Sequence, residues 1–421
     1  MTADQAIVID NGSYQVKFGL ASEVRPRVAL NALAKDKYGV THLSNQVQNI
    51  KDISSVVFRR PHELGQLTSW ELESCIWDYC LYNPDEFGID WQSLENRHVV
   101  LSETCMTLPE LSKNTDQVLF EEYEVDSLYK APTAAYIPFY TTNENIKTIS
   151  GKSDHGELDI EEKIEAGKEY NDFSLVIDSG FNCTWVIPIV KGVPYYKAVK
   201  KLDVGGRFLN GLLKETISFR HYNVMDESIL VNNIKEQCLY VDPVSYFEAF
   251  KAKGKNKIDF VLPDFQTSFQ GYVRDPKTAL PDNAQILTLT DERFSVPEAF
   301  FHPEISQSLK PGIIETVLES IYMLPELLRP LMASNIVCMG GNFNLPGFTD
   351  RLVSELQRQL PTDWVCRAKI SSGDKSLTGW TAMAKFAHTD AYKKARVTKE
   401  DYFEHGLDWT TKERFGYQNW V

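Results

Sequence analysis

Four kinds of signal are missing from these 421 residues, and each absence removes a class of protein. None of the seven cysteines stands in a C-x-x-C pair, so neither a disulfide framework nor a zinc site is suggested, and a reducing compartment is expected. No apolar run approaches the ~18 residues of a membrane span. The opening MTADQAIVIDNG lacks the basic flank and apolar core of a secretory signal, so neither export nor a membrane partner is expected. No G-x-G-x-x-G and no G-x-x-x-x-G-K-[ST] occurs, which disfavours a nicotinamide-binding fold and a P-loop enzyme.

Positive charge is also short. Lys plus Arg number 44 against 58 Asp plus Glu, a net of -14 that repels a polyanion and argues against a dedicated nucleic-acid binder. What remains is a globular composition, 43% hydrophobic and 24% charged. At about 150 residues per domain, the length asks for two or three units.

The segment Thr141–Asp172 carries nine acids against four lysines, a net of -5, and breaks the apolar alternation on either side. It reads as a flexible acidic insertion, solvated or able to dock a basic partner. A second irregular stretch, Phe250–Pro281 with its KAKGKNK run, reads as turns and a peripheral hairpin. Spacings of three and four predict helices within Leu67–Tyr82, Gly312–Leu331 and Phe348–Leu360.

Two segments share one design: AIVIDNGSYQVKFG at Ala6–Gly19 and SLVIDSGFNCTWVIP at Ser174–Pro188. Each is a β-branched strand ending in Asp, a short Gly-containing turn and a second strand. Turn N–H groups aimed into one concavity can hold phosphate oxygens, and a strand-end carboxylate can reach a water of hydrated Mg²⁺. Two such turns face to face would clamp a nucleotide tail. KLDVGGRFLNGLL and NIVCMGGNFNLPG add paired glycines, Gly205–Gly206 and Gly340–Gly341, where backbone can approach a flat base or a phosphate.

With these segments in order the chain resembles the actin family, within the larger fold of actin, hexokinase and heat-shock ATPases. DNGSYQVKFG and VIDSGFNCTWVIP look like its two phosphate loops, LDVGGRFL and NIKEQCLYV like its adenosine-contacting segments, and MGGNFNLPG like its third Gly-rich loop. RRPHELGQLTSWELESCIWDY, LPDNAQILTLTDERFSVPEAFFHPE and TKEDYFEHG have counterparts in the same order, so the likeness runs end to end.

The resemblance implies an α/β, actin-like ATPase fold: two duplicated ribonuclease-H-like lobes, each a five-stranded mixed sheet, with small inserted subdomains and a central nucleotide cleft. Lobe I would start at 1–30, hold a small subdomain at 31–66 and continue over 67–140. The acidic insertion at 141–172 would follow. Lobe II would start at 173–221, hold a small subdomain at 222–294 and continue over 295–368, and 369–421 would complete lobe I and form the tail.

Carried over residue by residue, Ser13 and Lys17 would hold the terminal phosphates, with Asn11 and Gly12 in the same turn. Asp10 and Asp178 would face a metal through water, and Gly180 would shape the second loop. Lys235 and Glu236 would contact adenosine, and Gly206, Gly340, Gly341 and Asn342 would line the base pocket. Departures stand at Tyr14, where actin has a glycine, at Phe181-Asn182, where it has Asp-Gly, and at Leu345, where it has a tyrosine. Thr133 aligns with the glutamine that positions attacking water. A hydroxyl there removes the water-orienting amide, so no catalytic residue is assigned; ATP or ADP, with or without Mg²⁺, is expected as a structural ligand if held at all.

Actin itself is the poorer match. NALAKDKYG, FQTSFQGYVRDP and RFGYQNWV are closer to a nuclear actin-related member of the family. That implies a subunit of an ATP-dependent complex that replaces a standard nucleosomal histone with its Z variant. Its partners would be a HIT-type zinc-finger subunit and a remodelling ATPase, with nucleosomes met indirectly. The location would be the nucleus, also the cytoplasm, and no filament is expected, since Asn31–Arg60 does not resemble actin's filament loop. The rival reading is an ATP-hydrolysing, polymerising protein, supported by the intact Asp10, Lys17 and Asp178. A sugar or acetate kinase would need an added substrate domain that the sequence does not supply. Trp420, near the C-terminus, is the tryptophan best placed to anchor a partner.

Overall fold

A computed structural model describes residues 6–50, 56–89, 91, 93–140, 145–154, 157–166, 173–251, 256–264, 270–280, 283–306 and 309–415. Trp420, most of the KAKGKNK run and the ends of the acidic segment lie outside the described residues.

The two duplicated hairpins found in the sequence sit at the centres of two sheets. Ile7–Asn11 pairs antiparallel with Gln15–Leu20 and parallel with His98–Ser102. Ser174–Ser179 repeats the arrangement, antiparallel to Thr184–Val190 and parallel to Ile336–Met339. Lobe I's sheet has six strands, ordered Val397–Thr398, Ser127–Ala131, His98–Ser102, Ile7–Asn11, Gln15–Leu20, Arg27–Leu30. Lobe II's has eight, so five strands each was an underestimate.

Alternation along the central strands divides their side chains between two cores. Ile7 and Ile9 point into lobe I's own apolar core, while Ala6 and Val8 join a second cluster. In lobe II, Leu175 and Ile177 enter that lobe's core while Val176 joins the same second cluster. This shared cluster is the waist of the molecule, filled by Thr133–Phe139 and by the helix Thr378–Ala387, with Tyr136, Trp380 and Phe386 buried in it. Because a strand repeats every two residues, Asp10 falls on the face of Val8 and Asp178 on the face of Val176. Both carboxylates are thereby turned toward the same space between the lobes.

The acidic segment is not a free insertion where it is described. Asn145–Asp154 and Glu157–Ala166 form a long antiparallel hairpin. Its first strand pairs with Arg367–Ser371, from Ile146 opposite Ser371 to Ser150 opposite Arg367. Ile146 and Ile149 are buried, in the shared cluster and in lobe II's core respectively. Those contacts turn a polar, loop-like sequence into strand. Lys147 also binds Glu162 across the pair at 2.8 Å. The second strand forms the outer edge of the sheet, and exposed Glu161 and Glu162 on it discourage pairing with another chain.

Helices Trp70–Leu81 and Phe348–Gln359 form where the spacing predicts, the first capped by Ser69, whose hydroxyl accepts from the Leu72 amide. The predicted run Gly312–Leu331 is instead broken into Ile313–Tyr322, Glu326–Leu328 and Arg329–Ala333. Pro325 and Pro330 account for both interruptions, since each lacks an amide hydrogen to continue the ladder. All seven cysteines are free thiols.

A free insertion and a sheet extension differ in what one truncation does. Ile149→Ala is expected to destabilise the chain by about 2–5 kcal/mol in chemical denaturation. An insertion detached from the sheet would give no change.

Candidate functional site

The two turns, Gly206, Gly340, Gly341 and the helix Ser228–Cys238 meet at one cavity of about 380 Å³ between the lobes, within the size range of ligand pockets. All sixteen anticipated positions line it: Asp10, Asn11, Gly12, Ser13, Tyr14, Lys17, Asp178, Gly180, Phe181, Gly206, Lys235, Glu236, Gly340, Gly341, Asn342 and Leu345. Thr133 lines it as well.

Register explains the phosphate end. In the first hairpin Asp10 lies opposite Lys17, and cross-strand partners share a face. The Lys17 ammonium donates to Asp10 Oδ2 at 2.9 Å, with both side chains buried. Ser102, at the end of the neighbouring parallel strand, donates to Asp10 Oδ1 at 2.9 Å and accepts the Asn11 amide at 2.8 Å. In the second hairpin the residue opposite Asp178 is Trp185, so the duplication supplies a cation on one side only.

Asp178 is instead met from the waist. Thr133, the first residue of Thr133–Phe139, donates its hydroxyl to Asp178 Oδ2 at 2.7 Å. Burial pushes the Asp178 carboxyl up to about 6, with Thr133 opposing and the Asp10 charge adding to the rise. The residue that aligns with a water-positioning amide is therefore engaged with a carboxylate.

The third Gly-rich loop packs directly on the second. At Gly340, φ is +99°, and a Cβ there would lie 2.3 Å from the Ser179 carbonyl oxygen, so only glycine fits. The Asn342 amide nitrogen then donates to the Gly180 carbonyl at 2.7 Å and to Ser179 Oγ at 3.0 Å, locking the two loops together. On the helix Ser228–Cys238, Lys235 donates to Asn232 Oδ1 at 2.7 Å, and Asn232 donates to Glu236 at 2.8 Å. Burial lowers the Lys235 ammonium to about 8.

Several residues were missed by reading motifs alone. Ser102 and Asn232 line the cavity; Asn182, read from the sequence only as a departure in the second turn, lines it too, and among the described residues its buried amide nitrogen has no hydrogen-bond partner. Behind the first turn, Asn31 donates both to the Gly12 carbonyl at 3.1 Å and to the wholly buried Glu73 at 3.1 Å. Trp77 donates to the same Glu73 oxygen at 2.9 Å, and His62 Nδ1 lies 3.9 Å from the other. Of these, only Ser102 had a usable signal, a hydroxyl ending an apolar strand.

The chain also matches the actin family model over residues 1–415. The chain belongs to the actin family. It is 63% identical to "Actin-like protein ARP6" of Saccharomyces cerevisiae, covering 99% of each chain, and 59% identical to that of Kluyveromyces lactis, covering 100% of each. "Actin-related protein 6" of Drosophila melanogaster is 32% identical over 96% of this chain and 98% of its own. These full-length likenesses place it in the actin-related protein 6 group of the family.

The family is nucleotide-binding in general, and the phosphate end suits that group. Lys17 and the unpartnered Asn182 amide offer donors to an anion, and Asp10 and Asp178 offer acceptors to the waters of a cation. Among the described residues no three His, Cys, Asp or Glu side chains cluster as direct metal ligands.

Glu73 gives a pH test of how the first turn is supported. Burial raises its carboxyl from 4.5 to about 7, against hydrogen bonds from Asn31, Asn11 and Trp77. The folded state therefore keeps a proton that the unfolded chain loses first. Stability is full below 4.5 and falls as pH rises toward 7, by about 3 kcal/mol from this group. Glu73→Gln is expected to raise the thermal midpoint at pH 8 relative to wild type and to leave it nearly unchanged at pH 4.5.

Proposed function

We propose that this chain is a non-catalytic, actin-fold scaffold subunit of a nuclear, ATP-dependent chromatin-remodelling complex that replaces a standard nucleosomal histone with its Z variant. In that assembly it binds a HIT-type zinc-finger subunit and the remodelling ATPase, and meets nucleosomes through them. The reading is supported by the full-length likeness to actin-related protein 6 relatives and by a net charge of -14, which favours contact with chromatin through partners. The chain would be found in the nucleus and also in the cytoplasm, with the remodelling role belonging to the nuclear pool.

The observation that carries the non-catalytic part is the 2.7 Å hydrogen bond from Thr133 to Asp178. Phosphoryl transfer asks little of a protein beyond placement and charge stabilisation. Here the group aligned with the water-positioning glutamine is short and spends its proton on a carboxylate. Bound ATP or ADP with Mg²⁺ would supply phosphate charge for Lys17 and a hydrated cation for the two carboxylates. The chain's own residues would then hold the nucleotide, with Thr133 turned to Asp178 rather than to an attacking water. Loss of one such polar contact typically slows a reaction by about 10²–10³-fold.

The rival, a hydrolysing and polymerising protein, draws on the Lys17–Asp10 pair, which is formed here. Two measurements separate the readings. The purified chain with Mg-ATP is expected to release phosphate at least about 10²-fold more slowly than polymerising actin and to stay in the supernatant on sedimentation. A tagged chain recovered from nuclear extract is expected to bring a remodelling ATPase and a zinc-finger subunit with it. Rapid turnover with a pelleting filament, or recovery without those partners, would overturn the proposal.

A further inference from the structure

The departures at Tyr14 and Phe181 stand on opposite lobes, one in each phosphate turn, and they touch. Their ring centroids are 4.8 Å apart at 36°. The Arg60 guanidinium, from the small subdomain of lobe I, lies 5.0 Å from the Tyr14 centroid and 4.9 Å from the Phe181 centroid. Arg60 is itself held by the Asn31 carbonyl at 2.9 Å. Within lobe II the Lys235 ammonium lies 5.8 Å from the Phe181 centroid.

The bridge continues past the rings. Tyr14 packs with Phe58 and Val56 against the apolar cluster of the small subdomain in lobe I, and Ile229 of lobe II's helix Ser228–Cys238 packs against the same cluster. Asn232 stands on that helix, three residues on from Ile229. Asn232 in turn holds Lys235 and Glu236, the pair aligned with adenosine contacts. Side chains of lobe I thus reach the nucleotide-facing helix of lobe II directly. Offset aromatic pairs and cations over ring faces are attractive in partly desolvated sites.

We propose that Tyr14, Phe181 and Arg60 form an intramolecular clasp that holds the two lobes closed without a nucleotide between them. In a family whose two turns are drawn together by a shared phosphate tail, a glycine and an aspartate at these positions leave that work to the ligand. Two rings and a guanidinium make the contact from the protein side. Closure then becomes a property of the folded chain. The clasp stands on these contacts alone and not on the chromatin assignment.

The test uses the full chain stripped of nucleotide with EDTA and apyrase, with Tyr14→Ala, Phe181→Ala and the double variant compared by calorimetry. Each single change is expected to lower the thermal midpoint by roughly 1–3 °C. The double change should lower it by less than the two together, because either removes the same contact. Amide exchange of Ser228–Cys238 in lobe II should quicken when Tyr14 in lobe I is truncated. If alanine abolishes folding, Phe181→Leu keeps bulk and removes the ring face: a lowered midpoint supports the clasp and an unchanged one overturns it. Strictly additive losses, unchanged midpoints, or unaltered exchange in that helix would each overturn it.

Discussion

Two carboxylates are turned into one space by strand alternation, and most of the site follows from that constraint. A residue on the face of Val8 or Val176 looks into the shared waist, and the residue two further along each strand is Asp10 or Asp178. The waist cluster fixes the faces of both sheets at once, so neither strand can slip by one residue without exposing its core. Thr133 at the start of the waist segment is thereby placed on Asp178, and Gly379 on the waist helix lies against it.

Charge in the cleft is arranged asymmetrically. The first hairpin pairs its aspartate with a lysine; the second places a tryptophan opposite its aspartate, and burial lifts that carboxyl to about 6 although the Thr133 hydroxyl donates to it. Behind the first turn, Glu73 is lifted to about 7. Buried groups of this kind often mark catalysis, but they also arise in structural networks. Here the partners of Glu73 are an asparagine that supports the turn and a tryptophan from its own helix, which is a supporting role.

The site was largely legible in the sequence because its residues lie in two hairpins and two glycine pairs whose local chemistry is complete in short segments. The fold class was legible for the same reason. What escaped reading depended on distant partners. Asn145–Ala166 is polar and turn-like by itself, and becomes strand only by pairing with Arg367–Ser371 and burying Ile146 and Ile149. Arg60, Asn31 and Asn232 carry no motif, and their importance appears only when the small subdomains close over the turns. Tyr14 and Phe181 were visible as departures from the family, but not as a pair, since nothing local says that the two rings meet.

The proposed clasp and the proposed function share one expectation: the cleft is closed by its own side chains and holds a nucleotide rather than turning it over. Small-angle X-ray scattering of the nucleotide-stripped chain, with and without added Mg-ATP, tests this most directly. The account predicts the same radius of gyration in both conditions. A stripped chain that expands and then contracts when Mg-ATP is added would contradict it.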